Sequence, residues 1–131
     1  MVEWTSGYRS PDAQVALRAR GASKAPPNMS MHNHRLALDF AVFDCGYGLY
    51  DWFDRDCKVW DEVKRLSECL KLTWGGNWKS IVDKPHLSLK LGFKSEKETC
   101  LWLLEIDEKQ RYWHIEDRYE RYFIGKNVEV L

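Results

Sequence analysis

The chain carries the stretch SMHNHRLALD at residues 30–39, where a polar loop runs into the apolar segment Leu36 to Phe43. This segment is short and flanked by polar residues, which predicts a buried strand, although periodicity alone leaves a helix open. The same stretch places His32 and Asp39 seven residues apart, and an imidazole and a carboxylate can share one divalent ion. We therefore expect it to supply both a core strand and part of a metal site.

A third metal ligand is offered downstream by residues 83–86, which read DKPH. A catalytic zinc site typically has three protein ligands and one open position, where a water becomes acidic enough to give hydroxide near neutral pH. If His86 joins His32 and Asp39 at such an ion, Asp83 is a suitable general base for the attacking water. The residue types would suit a hydrolytic metal centre, but a spacing of this kind also occurs often by chance.

One arginine and two further histidines lie near or outside these candidate ligands in the sequence. Arg9, in the turn at residues 6–10, keeps its charge at all working pH values and could stabilise an oxyanion. On spacing alone, a solvated turn arginine is the competing interpretation, and an isolated histidine or aspartate is usually a surface or hydrogen-bonding group. His34 and His114 are expected to be polar surface or supporting groups.

Composition limits the class of protein. The chain has 131 residues, of which 44% are hydrophobic and 14% aromatic, as expected for one folded domain. Twenty basic residues balance twenty acidic ones, so no net field favours nucleic acid or anionic lipid. We expect no nucleic-acid partner, no membrane span, no signal peptide and a monomer made in the cytoplasm. The four cysteines lie far apart, which favours buried free thiols.

The pattern outside the site predicts short strands and amphipathic helices. Ser10, Pro11 and Asp12 suit an N-cap and a first turn, and so predict a helix over Pro11 to Arg20. A strand is predicted over Val2 to Thr5, a loop over Gly21 to Asn28, an irregular segment over Asp44 to Asp56 and a strand over His86 to Leu91. An apolar stripe predicts a helix over Cys57 to Leu72, with inward residues Val59, Trp60, Val63, Leu66 and Leu70.

Two further segments have distinctive patterns. The sequence WGGNW at residues 74–78 contains two glycines, which let the backbone turn sharply or approach a neighbour closely. The sequence SEKE at residues 95–98 matches a capping box, and aromatic and aliphatic residues from Tyr112 to Tyr122 keep helical spacing. One or two helices are therefore expected after Gly92, although a strand over Thr99 to Ile106 remains open.

Three ordered blocks of the sequence resemble the zinc D,D-peptidase family that includes the VanY-type carboxypeptidases, and especially its L-alanyl-D-glutamate endopeptidase branch of phage endolysins and bacterial wall enzymes. The family pattern S-x-H-x-x-G-x-A-x-D is matched by Ser30, His32, Ala37 and Asp39. The branch pattern W-G-G-x-W-K-S-x-x-D-x-P-H is matched at residues 74–86, and the family segment G-Y-R-S at residues 7–10.

The resemblance implies a fold, a cofactor and a substrate. The expected fold is α+β, a small antiparallel sheet flanked by helices, with a zinc cleft on the sheet. The implied roles are zinc ligation by His32, Asp39 and His86, general base catalysis by Asp83, and electrophilic assistance by Arg9. Ser30, Trp74 and Trp78 are the implied substrate-binding or supporting residues. The implied substrate is the stem peptide of peptidoglycan, reached at the cell wall, with holin-type release as the route that a phage source would suggest.

The chain departs from the family pattern at Arg35 and in its short amino terminus. Residues 1–91 are assigned to the peptidase domain, with a short amino terminus, and residues 92–131 to an extension of unknown role. Arg35 stands where the family has glycine, so a positive φ there would strain the loop between two ligands. A D,D-carboxypeptidase, a degenerate wall-binding module without turnover and a structural virion protein therefore remain alternatives to the endopeptidase.

Overall fold

The sheet has four antiparallel strands in the order β1-β2-β4-β3. The strands are β1 (Val2–Ser6), β2 (Ala37–Val42), β3 (Thr73–Trp74) and β4 (His86–Ser88). The central strand β2 pairs with β1 on one side and with β4 on the other. This small sheet, together with the helices described below, confirms the predicted α+β class.

The computed structural model describes residues 2–42 and 58–124. The predicted irregular segment Asp44 to Asp56 lies outside these residues, as do Cys45 and Cys57. Within the described ranges, no helix has both the length and the apolar composition that crossing a bilayer requires.

The described residues form four α-helices: α1 (Pro11–Ala19), α2 (Lys58–Cys69), α3 (Glu96–Leu104) and α4 (Arg111–Tyr119). Short 3₁₀ turns span Met31–His34, Gly75–Asn77 and Glu108–Gln110, and a π-helical turn spans Glu120–Ile124.

The ends of α1 and α3 follow from their capping residues. Ser10 Oγ accepts a hydrogen bond from the Ala13 N–H, with Pro11 at the start of α1 as predicted. Ser95 Oγ accepts one from the Glu98 N–H, which begins α3 at Glu96. The alternative of a strand over Thr99 to Ile106 is therefore wrong.

The helical stripe of α2 is only partly buried. Trp60 is buried as predicted, but Leu66 and Leu70 are 43% and 63% exposed, while Ser67 is buried. The inward face runs through Trp60, Val63 and Ser67 at spacings of three and four residues. Ser67 satisfies its hydroxyl by donating to the Lys64 carbonyl at 2.8 Å. The sequence thus predicted the helix, but the helix ends at Cys69 and not at Leu72, and its buried face was predicted only in part.

Two predictions about length and burial need correction. Strand β4 ends at Ser88 and does not reach Leu91, because Leu91 and Gly92 both adopt positive φ and turn the chain away. Cys100 is buried as predicted, but Cys69, at the last position of α2, is exposed.

Two clusters of buried side chains lie on opposite faces of the sheet. The α2 side is an aromatic layer of Phe40, Trp60 and Trp74, in which the Trp60 and Trp74 rings stack with centroids 6.1 Å apart. The α3 side joins residues of the 3₁₀ turn at 31–34, β2 and α3: Met31, Leu36, Ala37, Leu91, Cys100 and Leu103. Side chains before and after residue 91 thus share this second cluster.

Candidate metal centre

Three of the predicted site residues converge from three different elements. His32 lies on the 3₁₀ turn, Asp39 in the middle of β2, and His86 at the start of β4, where it is the register partner of Asp39. His32 Nε2 lies 3.2 Å and His86 Nδ1 3.3 Å from the same Asp39 oxygen, Oδ1. One potential ligand atom from each residue lies within 4.8 Å of the others. The three could therefore hold one metal ion.

His32 is held with Nε2 directed at this cluster. Ser30 Oγ caps the turn by accepting from the His32 N–H at 3.4 Å, and Asn33 Oδ1 accepts from the Ser30 N–H. The carbonyl of Gly7, which can only accept, lies 2.7 Å from His32 Nδ1. A neutral His32 ring that donates from Nδ1 to this carbonyl presents the lone pair of Nε2 to the cluster, as a metal ligand requires.

Arg9 lies beside the cluster and is not a solvated turn residue. Its backbone N–H donates to the His32 carbonyl at 3.0 Å, and its Nη2 lies 3.9 Å from Asp39 Oδ2. Its Nη1 donates to Oε1 of the fully buried Gln14 at 2.9 Å. The Gln14 amide is fixed in turn by the Ser23 hydroxyl and the Ala25 carbonyl. The guanidinium is thus anchored on one side and faces the cluster on the other.

Asp83 is brought to the site by a closed loop. Its N–H donates to the Gly75 carbonyl at 3.0 Å, and its carbonyl accepts from the His86 N–H at 3.2 Å. A Cβ at Gly75 would collide with the Asp83 carbonyl oxygen, so the glycine predicted to allow close approach does so here. The indole N–H of Trp74 ties the same loop down by donating to the Lys84 carbonyl at 2.7 Å.

The two tryptophans of this block occupy different positions. Trp74 is buried in the aromatic layer under the sheet and supports the loop from below. Trp78 is half-buried, and its ring centroid lies 5.0 Å from that of His86. Of the two, Trp78 is the one that borders the cluster.

The cluster shifts the pKa of its own members in opposite directions. Burial alone would raise the pKa of Asp39, but hydrogen bonds from His32 and His86 more than offset this and hold it below its usual range. Burial alone would lower the pKa of His86, but the carboxylates of Asp39 and Glu96 raise it to about 9. The site therefore keeps Asp39 ionised and stabilises positive charge at His86, as a site for a cation does.

Asp83 differs from Asp39 in its environment. Burial raises the pKa of Asp83 above its usual value. The nearby imidazole of His86 opposes this rise, and the carboxylate of Asp39 adds to it. Asp83 thus lies within electrostatic range of the cluster and has a higher affinity for a proton than Asp39. A carboxylate that accepts a proton and later releases it needs such an affinity.

Sequence reasoning missed one contact of the cluster, whereas its prediction that His34 is a supporting group and not a ligand agrees with the structure. Glu96 Oε1 lies 2.7 Å from His86 Nε2, and the only signal for this residue was its place in the first turn of a predicted helix. His34 is buried and supports the turn, since its Nε2 donates to the Asn28 carbonyl at 2.8 Å. His114 is half-buried against the Trp113 ring.

Arg35 adopts the backbone conformation that its position was expected to require. Its φ is 62°, in the left-handed region, where it ends the 3₁₀ turn that carries His32. Its guanidinium carbon lies 4.1 Å from the centroid of the Tyr8 ring, a cation–π contact. A stabilising contact therefore accompanies the strained residue.

A comparison with protein families assigns the fold and the His-Asp-His cluster to a class of peptidases. A family model described as D-alanyl-D-alanine carboxypeptidase matches residues 23–89, just over half of the chain. The chain belongs to this family.

Two relatives are more specific. The peptidoglycan L-alanyl-D-glutamate endopeptidase CwlK of Bacillus subtilis (strain 168) is 33% identical over 97 residues, which cover 65% of this chain and 58% of the relative. The crystal structure of the Serratia marcescens L-Ala D-Glu endopeptidase ChiX matches with a TM-score of 0.53 and 26% identity, over 67% of this chain and 65% of that one. The chain thus spans less than two thirds of the length of either relative.

Proposed function

We propose that this protein is a zinc-dependent peptidase that hydrolyses the stem peptide of peptidoglycan, at the bond between L-alanine and D-glutamate. The observation that carries the proposal is the convergence of two imidazoles and one carboxylate on a single point of the sheet. Membership of the peptidase family supports the reaction class, and the names of both relatives support the bond.

The metal ligands in this proposal are His32, Asp39 and His86. A catalytic zinc site has three protein ligands of these types, and zinc bound there supplies Lewis acidity toward a water and a peptide carbonyl. The Gly7 carbonyl fixes the tautomer of His32, and the β2–β4 register sets Asp39 opposite His86. Both imidazoles are buried, so they change position little when an ion binds.

Asp83 is the proposed general base. It accepts a proton from the attacking water and returns it to the leaving amine, so the peptide bond breaks without releasing a free amide anion. Its raised pKa supports the second half of this role, because a protonated carboxyl must persist long enough to donate. Its backbone bonds to Gly75 and His86 fix it relative to the ligands.

Arg9 is the proposed electrophilic group. Its guanidinium stays charged, lies 3.9 Å from the Asp39 carboxylate and is anchored by Gln14, so it can donate to a developing oxyanion beside the ligands. Trp78 offers an aromatic surface at the rim for substrate, whereas Ser30 and Trp74 act by supporting the loops.

The bond within the stem peptide is the finer part of the proposal. An aspartate at position 83 is typical of the endopeptidase branch, and the carboxypeptidase branch usually has glutamate in an E-x-x-H arrangement. Cleavage of a terminal D-alanine remains the second candidate, because the matching family is described by that activity. The substrate places the protein's action at the cell wall, and we expect a monomer.

The test is mass spectrometry of purified stem-peptide fragments incubated with the zinc-loaded protein, with a chelator-treated sample as control. Release of L-alanine from the D-glutamate portion, absent from the control, is the expected result. Loss of only a terminal D-alanine would transfer the protein to the carboxypeptidase branch. Intact fragments despite bound zinc would overturn the proposal in favour of a binding module.

A further inference from the structure

Glu96 contacts the metal-binding cluster from outside the three ligands. Its Oε1 lies 2.7 Å from His86 Nε2, and the two side chains are only 24% and 7% exposed. This distance is that of a short, charge-assisted hydrogen bond. The pair is therefore part of the buried site and differs from a solvent-exposed ion pair, which typically contributes little.

The two nitrogens of His86 face different carboxylates. Nδ1 faces Asp39 Oδ1 at 3.3 Å, on the side of His32, and Nε2 faces Glu96 on the other side. An ionised carboxylate can only accept a hydrogen bond, so Glu96 keeps the proton of the neutral ring on Nε2. The lone pair of Nδ1 is then directed at the point shared with His32 and Asp39.

We propose that Glu96 is a positioning residue that fixes the tautomer and orientation of His86 as a metal ligand. The inference rests on the zinc site of the proposed function and deepens it. A histidine that binds a metal through one nitrogen commonly donates its other N–H to a carboxylate, and this partner orients the ring and increases its basicity. Glu96 occupies that place for His86.

The start of α3 is fixed so that Glu96 can reach His86. Glu96 is the first residue of the helix, after the N-cap Ser95, where the helix dipole favours a carboxylate. Thr99, one turn later, is fully buried and donates its hydroxyl to the Lys90 carbonyl at 3.0 Å. Cys100 and Leu103 pack the same helix into the cluster on the α3 side of the sheet. The carboxylate is thus held by a helix packed on the sheet.

Glu96 lies beyond the residues that match the family model, which end at residue 89. The segment after residue 91, to which sequence analysis assigns no role, would then complete the environment of a metal ligand. Ser88 is buried on β4, two residues after His86 and therefore on the same face of the sheet.

The same helix supplies a matched control. Glu98 is also in the first turn of α3, but it is exposed, and its carboxylate accepts from the Lys94 N–H at 3.2 Å. If Glu96 only satisfied the helix terminus, replacing either glutamate would have the same effect. If Glu96 positions His86, only its replacement would alter metal binding.

The experiment measures zinc affinity by chelator competition for the full chain and for Glu96→Ala, Glu96→Gln and Glu98→Ala. We expect Glu96→Ala to weaken zinc binding about 10- to 100-fold. Glu96→Gln, whose amide oxygen can still accept from Nε2–H, should restore part of the loss, and Glu98→Ala should bind like the parent. Equal affinity of Glu96→Ala and the parent would overturn the inference. Should Glu96→Ala fail to fold, Glu96→Gln against Glu98→Gln gives the same comparison.

A second readout reports the tautomer directly. Nitrogen–hydrogen correlation spectra of the histidine rings in the zinc-loaded protein should show His86 protonated at Nε2, with that signal altered in Glu96→Ala. A proton on Nδ1 would contradict the inference. Neither readout uses substrate, so the inference can be tested separately from the proposed function. If zinc binding depends on Glu96 as expected but no peptide is cleaved, the proposed function is refuted and the role of Glu96 is not.

Discussion

The two faces of strand β2 serve different purposes. On one face, Asp39 stands between His32 and His86 and its oxygens are committed to polar partners. On the other, Phe40 packs against the Trp60 ring with centroids 6.0 Å apart, in a layer of aromatic side chains. Successive residues of a strand point to opposite faces. Asp39 therefore belongs to the candidate metal site, and the adjacent Phe40 belongs to the hydrophobic core.

This difference predicts that changes on one face can be separated from changes on the other. A substitution among the ligands should remove the metal and leave most of the folding free energy. A substitution in the aromatic layer should lower the folding free energy and leave the ligand geometry unchanged wherever the chain still folds. The variants below test that separation.

The largest effect is expected from His32→Ala. One of three ligands is removed, so zinc should no longer co-purify, and peptidase activity should disappear. Elemental analysis of the dialysed protein measures the first, and peptide cleavage the second. His34→Ala is the control, since His34 is buried on the same turn but bonds to Asn28 away from the cluster. Loss of zinc in both variants would show that folding of the turn, and not ligation, decides metal binding.

The next effect is expected from Asp83→Asn, which keeps the shape of the side chain and removes its basicity. General base catalysis typically contributes about 10²- to 10⁴-fold, so kcat should fall by that factor while zinc content stays that of the parent. Asp61→Asn, at an exposed position of α2, should have parental kcat. An Asp83→Asn variant with parental kcat would refute the assignment of the base.

The opposite face is tested by Phe40→Ala. Phe40 is 2% exposed, and truncating a buried phenylalanine costs about 3–5 kcal/mol of the free energy of unfolding. Denaturant titration measures this loss, and zinc stoichiometry of the folded fraction should be unchanged. Leu38→Ala, on the same strand and face but 43% exposed, should cost about 1 kcal/mol or less. A Phe40→Ala variant that folds but cannot hold zinc would show that the two faces are coupled.

The smallest effect is expected from Arg35→Gly. Glycine removes a left-handed strain of about 1 kcal/mol, but it also removes a cation–π contact of about 0.5–1 kcal/mol with Tyr8. The two contributions nearly cancel, so the unfolding free energy should change little. In a Tyr8→Leu background the contact is already absent, and Arg35→Gly should then stabilise the protein and, if strain limits the site, raise activity. Equal effects in both backgrounds would exclude the compensation.

Much of the fold follows from local patterns. Capping residues located the starts of α1 and α3, and a short apolar run between polar residues located β2, because these signals involve neighbours in sequence. The three residues named from the sequence as candidate metal ligands, His32, Asp39 and His86, are the ones that the structure places together. The roles of these residues, and the functional division of the chain at residue 91, stay predictions.

What the sequence could not supply depends on packing between distant segments. The exposure of Leu66 and Cys69 depends on which side of α2 meets the sheet, and a helical stripe wider than the contact cannot decide this. Glu96 was predicted only to lie within the capping box at residues 95–98, since its partner His86 lies on another element. The burial of His34 likewise depends on the path of the loop that carries Asn28.

The backbone closure between Gly75 and Asp83 has a consequence for how this scaffold can be altered. Since the Asp83 N–H donates to the Gly75 carbonyl, residues 76–82 form a loop that is closed at its base and lies outside the strands that carry Asp39 and His86. Doubling the length of such a loop costs only about 0.6 kcal/mol. Residues 79–82 are exposed and close to the rim formed by Trp78. Sequences inserted in this loop are therefore expected to alter the surface beside Trp78 without changing the strands that carry the proposed metal ligands.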